Sequence, residues 1–357
     1  MVKGPFARFK GHEQVVFGSD DETGLKCIIA VHSTRLGPAL GGTRFYPYAS
    51  EDAALTDVLR LSRAMSYKAA CAGLDLGGGK AVIIGDPAKL RSEALLRAYG
   101  RLIESLGGRY VTACDVGTTP ADMAVIKRET RWATGADAQH GGSGDSGVLT
   151  AYGVYLGMKA AAQAAFGTDE LGGRHVAVQG LGKVGARLVG HLVEEGAKVS
   201  VADVSEAACD RVAALPGVEI VDVEDVLLLD ADIVSPNALG AVLDEATVAA
   251  LQARVVCGGA NNQLATEDDG DRLQERDILY APDFVVNAGG VINVADELEP
   301  GGYSEARAHA RADAIPRTLH EIIAESREQR VSTERAAVTV AERRMAAVGG
   351  LRRFWLP

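Results

Sequence analysis

The chain has 357 residues, enough for two domains, and its 47% hydrophobic and 24% charged residues exclude disordered and collagen-like classes. Its 37 basic and 48 acidic residues leave a formal net charge of −11, which argues against nucleic acid or anionic membranes as partners because such binding needs clustered Lys and Arg. No apolar run approaches the roughly 18 residues of a membrane span, and the first residues lack the apolar core of a signal peptide, so we expect a cytoplasmic protein that does not bind membranes.

The first part of the chain alternates runs rich in β-branched residues with amphipathic stretches, a pattern that predicts a mixed α/β domain. These elements are, in chain order, a strand over 25–31, a helix capped by Ser50, a loop over 73–79, a strand over 80–84, a helix over 90–106 and a strand over 110–114. The last strand delivers Asp115 at its carboxyl end. Small residues over 141–147 indicate a hinge.

The second part begins with a helix rich in small residues over 149–165. From residue 173 onward, short apolar strands alternate with amphipathic helices, a rhythm typical of a doubly wound parallel α/β domain. The predicted strands are 175–179, 198–202, 218–221, 232–235 and 255–258.

A G-x-G-x-x-G pattern occupies residues 180–185, between a predicted strand and a predicted helix. In this context Gly180 makes the tight turn, Gly182 lets the backbone approach a pyrophosphate, and Gly185 lets helix and strand pack closely. The helix N-terminus supplies N–H donors to the phosphates. A glycine-rich turn without a nucleotide is the alternative. The predicted cofactor contacts of this loop are Gly180, Leu181, Gly182, Lys183, Val184 and Gly185.

Asp203 ends the next predicted strand, at the expected distance of about 20 residues from the glycine loop. Its carboxylate would accept hydrogen bonds from both ribose hydroxyls and would repel a 2′-phosphate. Since no arginine lies between residues 204 and 210, we predict NAD rather than NADP. The five cysteines form no CxxC pair and the seven histidines no HExxH, so we predict no metal.

Two lysines and an aspartate are the candidates for chemistry in the first domain. Lys80 follows three glycines, Lys68 lies twelve residues earlier on the preceding helix, and Asp115 leaves a strand end. A lone lysine is usually a solvated surface charge, so the residues alone leave the role of these lysines open.

The segment 74–87 resembles the active-site signature of the glutamate/leucine/phenylalanine/valine dehydrogenase family, with every motif position filled. Further segments are similar to the family's substrate loop, catalytic-aspartate segment, interdomain helix start and two nicotinamide-side loops. These segments are 37–45, 112–118, 150–154, 259–262 and 287–290. The likeness extends over nearly the whole chain.

The resemblance implies a reversible oxidative deamination, in which an L-amino acid, NAD and water give a 2-oxo acid, ammonia and NADH. Lys68 would hold the substrate α-carboxylate, Lys80 would act as general base, and Asp115 would exchange protons with the amine and the attacking water. For Asn287 a purely loop-structuring role is the alternative. The other implied contacts are Gly41, Asn262 and Asn287 with the substrate, and Thr150, Asn237, Ala260 and Asn262 with the cofactor.

Glutamate-specific members carry a lysine and a serine where this chain has Leu40 and Val294. Burying a carboxylate against these residues without a partner is too unfavourable, so the resemblance implies an apolar substrate side chain. Leu40, Ala113, Val291 and Val294 would line a pocket that phenylalanine or a branched aliphatic side chain fills. Segment 297–303 is more similar to phenylalanine-specific members, which implies L-phenylalanine, with leucine or valine as the alternative.

The resemblance also implies the domain organisation. An N-terminal mixed α/β substrate and oligomerisation domain (residues 1–147 plus about 325–357) would accompany a Rossmann-type NAD-binding domain (residues 148–324). Family members are homo-oligomers of several sizes, so we expect a homo-oligomer of unspecified size. An NAD-sensing protein on the same fold is the non-enzymatic alternative, which retention of Lys68, Lys80 and Asp115 disfavours.

Overall fold

The structure, a computed structural model, describes residues 5–350 and divides them into two compact units. Unit 1 comprises residues 5–145, 293–305 and 341–350, and unit 2 comprises residues 146–292 and 306–340. The sequence predicts residues 325–340 in the first domain and residues 293–305 in the second, whereas the structure assigns them to unit 2 and unit 1, respectively. Leu319 and Ile323 share a core cluster with Val154 and Met158, which is why the helix carrying them belongs to unit 2.

Unit 1 is built on a five-stranded mixed sheet, as predicted. Its strands are β1 (Gln14–Asp20), β2 (Leu25–Ser33), β3 (Ala39–Tyr46), β4 (Gly77–Ile84) and β5 (Tyr110–Cys114). The order is β1-β2-β4-β3-β5. The β1–β2 and β2–β4 pairs are antiparallel, whereas β4–β3 and β3–β5 are parallel. Strands β3, β4 and β5 therefore end at the same edge of the sheet.

Helices cover both faces of this sheet. The helices between residues 51 and 126 are α1 (Glu51–Cys71), α2 (Pro87–Leu90), α3 (Glu93–Ser105) and α4 (Pro120–Ile126). The predicted cap of α1 is confirmed, because Ser50 accepts a hydrogen bond from Ala53 N. Apolar residues of α1 pack on one face of the sheet, and those of α3 and α4 pack on the other.

Three predictions about local structure in unit 1 are wrong. The expected loop over 73–79 ends early, because β4 begins at Gly77 and pairs with β2 and β3. The segment 37–45, interpreted as a loop, contains most of β3, which lies between β4 and β5. The helix expected over 90–106 begins at Glu93, because Ser92 caps it separately from the short α2.

Unit 2 contains a six-stranded sheet in which every pair is parallel. Its strands are β6 (His175–Gln179), β7 (Lys198–Ala202), β8 (Val218–Ile220), β9 (Ile233–Pro236), β10 (Val255–Val256) and β11 (Leu279–Tyr280). The order β11-β10-β9-β6-β7-β8 is that of a doubly wound dinucleotide-binding fold. The predicted strands 175–179 and 198–202 are confirmed residue for residue, and β11 was missed because two residues carry no pattern.

The remaining helices follow in chain order. They are α5 (Gly147–Phe166), α6 (Gly185–Glu194), α7 (Glu206–Ala213), α8 (Glu245–Ala250), α9 (Glu267–Glu275), α10 (Asp283–Val286), α11 (Gly289–Asp296), α12 (Glu305–Ala312), α13 (Ile315–Gln329) and α14 (Thr333–Gly349). The boundary between the units falls inside α11 and inside α14. Within residues 5–350, no helix is both long and apolar enough to cross a membrane.

Candidate active site

The glycines at the start of β4 let this strand approach its neighbours. A Cβ atom on Gly78 would lie 2.1 Å from Ser66 N of α1, and one on Gly79 would lie 2.7 Å from the Tyr110 ring of β5. No side chain fits at either position without displacing a neighbour. Since side chains alternate along a strand, Lys80 lies on the face of Gly78, which is the face that α1 covers.

Lys80 and Asp115 form an ion pair in unit 1. The Lys80 side chain is 8% exposed, and its Nζ lies 3.0 Å from Asp115 Oδ2. Asp115 directly follows β5, and its backbone N–H donates to Thr118 Oγ1. A buried strand and a strand end thus bring together the two residues that the sequence proposed for proton transfer.

A second cation, Arg44, binds the same carboxylate, and the sequence did not predict it. Arg44 of β3 donates from Nε to Asp115 Oδ2 at 3.0 Å and from Nη1 to Asp57 Oδ2 of α1 at 2.9 Å. Tyr48 donates its hydroxyl to the same Asp57 oxygen at 2.6 Å. Arg44 lies in segment 37–45, which the resemblance presents as a loop. Its position on the face of Asp115 follows only from the alternation of side chains along β3.

The two cations determine the charge state of Asp115. Burial alone would raise the pKa of this carboxyl, but the charges and hydrogen bonds of Lys80 and Arg44 outweigh burial and lower the pKa. Burial likewise opposes the charged form of Arg44, and Asp115 and Asp57 outweigh it, so the pKa of Arg44 is raised. Asp115 is therefore a carboxylate at neutral pH.

Two of the other substrate candidates of unit 1 lie on the sheet face that carries Lys80. Leu40 of β3 pairs with Gly78 on one side and with Val111 of β5 on the other. Residues paired across strands share a face, so Leu40 and, two residues beyond Val111, Ala113 lie on the α1 face. Both are buried, at 1% and 6% exposed. Three further candidates also belong to unit 1, namely Gly41 on β3, Lys68 in the last turn of α1, and the half-buried Val294 on α11.

In unit 2, the glycine loop follows β6 and opens α6. Gly180 has φ = 91°, a left-handed conformation that suits glycine. A Cβ atom on Gly185 would lie 1.9 Å from Gly180 O, whereas one on Gly182 would meet nothing within 4 Å. Open space next to the Gly182 backbone is what the approach of a pyrophosphate requires. In the same loop, Leu181 is buried, Lys183 is exposed and Val184 is half-buried.

Asp203 follows β7 and is tied to the glycine loop. Its Oδ2 accepts a hydrogen bond from Leu181 N at 2.6 Å, and its Oδ1 accepts one from Ser205 N at 2.8 Å. Two exposed apolar side chains, which the sequence does not predict, follow strands on either side of β6. Val204 after β7 is 89% exposed and Leu239 after β9 is 75% exposed. Both side chains lie beyond the carboxyl ends of strands that flank β6, the edge at which such sheets bind ligands.

Asparagines after β9 and β10 form a hydrogen-bonded cluster. Asn237 Oδ1 accepts from Gly259 N at 2.8 Å, and Asn287 Nδ2 donates to Gly259 O at 3.2 Å and to Asn261 Oδ1 at 2.9 Å. Asn287 therefore does structure a loop. Its own Oδ1 is buried and accepts no hydrogen bond from residues 5–350. A buried unpaired acceptor is unfavourable, so this oxygen indicates a place for a ligand's donor.

The remaining candidates of unit 2 are dispersed over three elements. Thr150 on α5 donates its hydroxyl to Ser146 O at 2.8 Å. Ala260 is buried, whereas Asn262 is exposed with φ = 53°. Val291 on α11 is buried and belongs to unit 2, whereas Val294 on the same helix belongs to unit 1.

The residues of unit 2 fit an adenine dinucleotide by four independent features. These are the strand order, the open backbone at Gly182 before α6, the carboxylate at the end of β7, and the unpaired amide oxygen of Asn287. No residue between 204 and 210 is basic, which fits a ribose without a 2′-phosphate.

Comparisons with known proteins agree with this geometry. The Glu/Leu/Phe/Val dehydrogenase dimerisation domain matches residues 12–132, and the glutamate/leucine/phenylalanine/valine dehydrogenase domain matches residues 200–353. The chain is 56% identical over 339 residues to valine dehydrogenase of Streptomyces virginiae, covering 94% of each chain. It is 50% identical over 345 residues to leucine dehydrogenase of Bacillus cereus, covering 97% of this chain and 94% of the relative.

A solved structure is similar over the same extent. L-tryptophan dehydrogenase from Nostoc punctiforme is 43% identical, with a TM-score of 0.85, covering 96% of this chain and 98% of that one. The similarity therefore includes both units.

Proposed function

The chain belongs to the glutamate/leucine/phenylalanine/valine dehydrogenase family, and from that premise we propose that its substrate is a branched aliphatic L-amino acid. It is an amino acid dehydrogenase. Members of the family depend on NAD(H), and NAD is the cofactor. The reaction is the reversible conversion of an L-amino acid, water and NAD to a 2-oxo acid, ammonia and NADH.

The observation that carries the proposed chemistry is the ion pair between the buried Lys80 and the half-buried Asp115, 3.0 Å apart. An amino acid dehydrogenase must remove protons from an amine and from the attacking water. A buried amine and a carboxylate within hydrogen-bonding distance of each other suit that task. Lys80 acts as the general base, Asp115 exchanges protons with the amine and the water, and Lys68 binds the substrate α-carboxylate.

The side chain of the substrate is apolar, because Leu40 and Ala113 are buried on the face that carries Lys80. The valine and leucine dehydrogenases reported above favour the branched aliphatic alternative, and the expectation of L-phenylalanine is not supported. A pocket distinguishes such groups by only about 1–3 kcal/mol per methylene, so measurement of rates on several amino acids is the appropriate test.

The residues of unit 2 hold NAD, which accepts a hydride from the substrate α-carbon when bound. The glycine loop and the N-terminus of α6 bind the pyrophosphate, and Asp203 binds the ribose hydroxyls. Val204 and Leu239 cover the faces of the adenine. Asn287 and Thr150 contribute to binding at the nicotinamide end. Asn237, Ala260 and Asn262 lie in the loops that contact the cofactor there.

The first experiment measures NADH formation by the purified protein with NAD and each of L-valine, L-leucine, L-phenylalanine and L-glutamate. The highest kcat/KM is expected on L-valine or L-leucine, and none on L-glutamate. A preference for L-phenylalanine would refute the substrate proposal alone. Turnover of L-glutamate would refute the argument from Leu40.

A second experiment separates an enzyme from an NAD-sensing protein. K80M is expected to abolish turnover while NADH binding, measured by fluorescence titration, stays unchanged. Lys89, whose side chain is 80% exposed on α2, provides the matched control, and K89M is expected to retain full activity. Turnover by K80M at the wild-type rate would remove Lys80 from the chemistry.

We also propose that the protein is a homo-oligomer, since residues 12–132 match a dimerisation domain. Light scattering during size-exclusion chromatography gives the mass directly. A monomer mass near 37.3 kDa would refute this proposal.

A further inference from the structure

The geometry points to Oδ1 of Asp115 as the proton-exchanging atom and to Arg44 as the positioning residue that leaves this atom available. This inference rests on the proposed function, in which Asp115 exchanges protons with the substrate amine and the attacking water. Arg44 acts through Asp115 and does not itself contact the substrate.

The two oxygens of Asp115 have different surroundings. Oδ2 accepts hydrogen bonds from Lys80 Nζ of β4 and from Arg44 Nε of β3, each at 3.0 Å. Oδ1 accepts none from residues 5–350, and the side chain is 21% exposed. Because each carboxylate oxygen has two lone pairs, the two donors occupy Oδ2 and leave Oδ1 to accept a proton.

A hydrogen bond to α1 fixes the orientation of the Arg44 guanidinium. Its Nη1 donates to Asp57 Oδ2, which also accepts the Tyr48 hydroxyl. The guanidinium is planar and rigid, so fixing Nη1 on α1 also fixes Nε against Asp115. A lysine at this position would keep the charge but would lose the second hydrogen bond, the one to Asp57.

Each proton transfer at Oδ1 breaks one bond to hydrogen and forms another. The substrate N–H or water O–H bond breaks as an O–H bond forms at Oδ1, and this O–H bond later breaks as the proton passes to the nitrogen that leaves as ammonia. Asp115 must start as a carboxylate. The groups that bear on it are Lys80, Arg44 with its partners Asp57 and Tyr48, and Tyr110 of β5, whose own pKa is raised chiefly by burial.

The test compares R44Q and R44K with R60Q, using steady-state kinetics with the preferred amino acid and a carbon NMR titration of the Asp115 carboxyl. Arg60 is exposed and pairs with the other oxygen of the same Asp57, so R60Q perturbs Asp57 without touching Asp115. R44Q is expected to lower kcat about 100-fold, because the carboxylate is displaced by about 1 Å, and to raise the pKa of the Asp115 carboxyl by about one unit in a carbon NMR titration. The KM for NAD should stay unchanged.

R44K separates charge from position. It is expected to keep the Asp115 carboxyl titration near its wild-type pH while kcat stays reduced, because the lysine lacks the second nitrogen that binds Asp57. R60Q is expected to match wild type in both. An unshifted Asp115 titration in R44Q, or a wild-type kcat in R44K, would overturn the inference.

Folding and function are checked separately. Melting temperature and NADH affinity of each variant detect misfolding, and R44K serves if R44Q does not fold. If wild type turns over no amino acid, the proposed function fails. The inference about Arg44 is then decided by carbon NMR of the Asp115 carboxyl alone. The pKa seen in this titration should rise in R44Q. If R44Q does not fold, the Asp115 signal should broaden in R44K, because the carboxylate is then mobile. An unchanged signal would reject it.

Discussion

Replacing Gly78 with alanine tests how closely β4 must approach α1. The added Cβ would lie 2.1 Å from Ser66 N and 2.2 Å from Ser66 Oγ, whereas ordinary contact begins at 3.4 Å. The helix or the strand must therefore move by about 1.3 Å. Lys68 lies two residues beyond Ser66 on the same helix, and Lys80 lies two residues beyond Gly78, so the displacement changes the separation of the two lysines.

The expected cost has two parts. Overpacking of this kind destabilises by about 1–3 kcal/mol, and a misplacement of about 1 Å in an active site lowers the rate about 100-fold. Chemical denaturation measures the first and kcat/KM with the preferred amino acid measures the second.

The matched control is G190A on α6. A Cβ atom there meets nothing within 4 Å, and alanine in a helix is about 0.5–1 kcal/mol more favourable than glycine. This variant should be slightly more stable and fully active. Wild-type stability and kcat/KM in G78A would refute the argument that β4 has no room for a side chain.

Two further predictions concern Asp203 and His32. D203N is expected to weaken NADH binding about tenfold, because hydrogen bonds to a charged group are lost. NADPH binding should weaken less, because the 2′-phosphate is no longer repelled, and equal losses in fluorescence titrations of both cofactors would contradict this. Burial, reinforced by the charge of His12, lowers the pKa of His32 to about 4. The unfolded chain therefore binds a proton that the folded chain does not between pH 6.5 and about 4, so stability falls as the pH falls through this window. Urea unfolding of H32Q should show a weaker dependence there, and an unchanged slope would count against the assignment.

Features that a short local pattern encodes could be predicted from the sequence. Ser50 caps α1, β6 and β7 have their expected bounds, and the spacing of Gly180, Gly182 and Gly185 matches a turn, an open backbone and a close contact. Each depends on residues that are neighbours in the chain, and so the pattern carries the information.

Features that depend on strand register could not be predicted. Strand β3 contains two glycines, which disfavour strands, and pairing with β4 and β5 overrides that preference. Once β3 is misread as a loop, nothing places Arg44 on the face of Asp115. The exposure of Leu239 and the unpaired oxygen of Asn287 likewise exist only in the folded chain.

The expectation of L-phenylalanine is not supported, because the similarity on which it rested lies in a residue with a structural role. It rested on segment 297–303, and Glu297 in this segment accepts hydrogen bonds from Gly135 N, Ser143 N and Ser143 Oγ. Its side chain is 3% exposed and lies near Lys127. Glu297 thus anchors a loop of unit 1, and similarity in such an anchor contains no information about the substrate side chain.

The glycines of β4 also limit how this protein can be redesigned. Side chains added at Gly77, Gly78 and Gly79 would meet the β2 backbone, the α1 backbone and the Tyr110 ring, respectively. One compensating change cannot relieve three different obstructions, so libraries that vary this strand would consist mostly of inactive members. Efforts to broaden the range of accepted amino acids should keep β4 constant and vary Leu40 of β3 and Ala113 of β5, which lie on the face that carries Lys80.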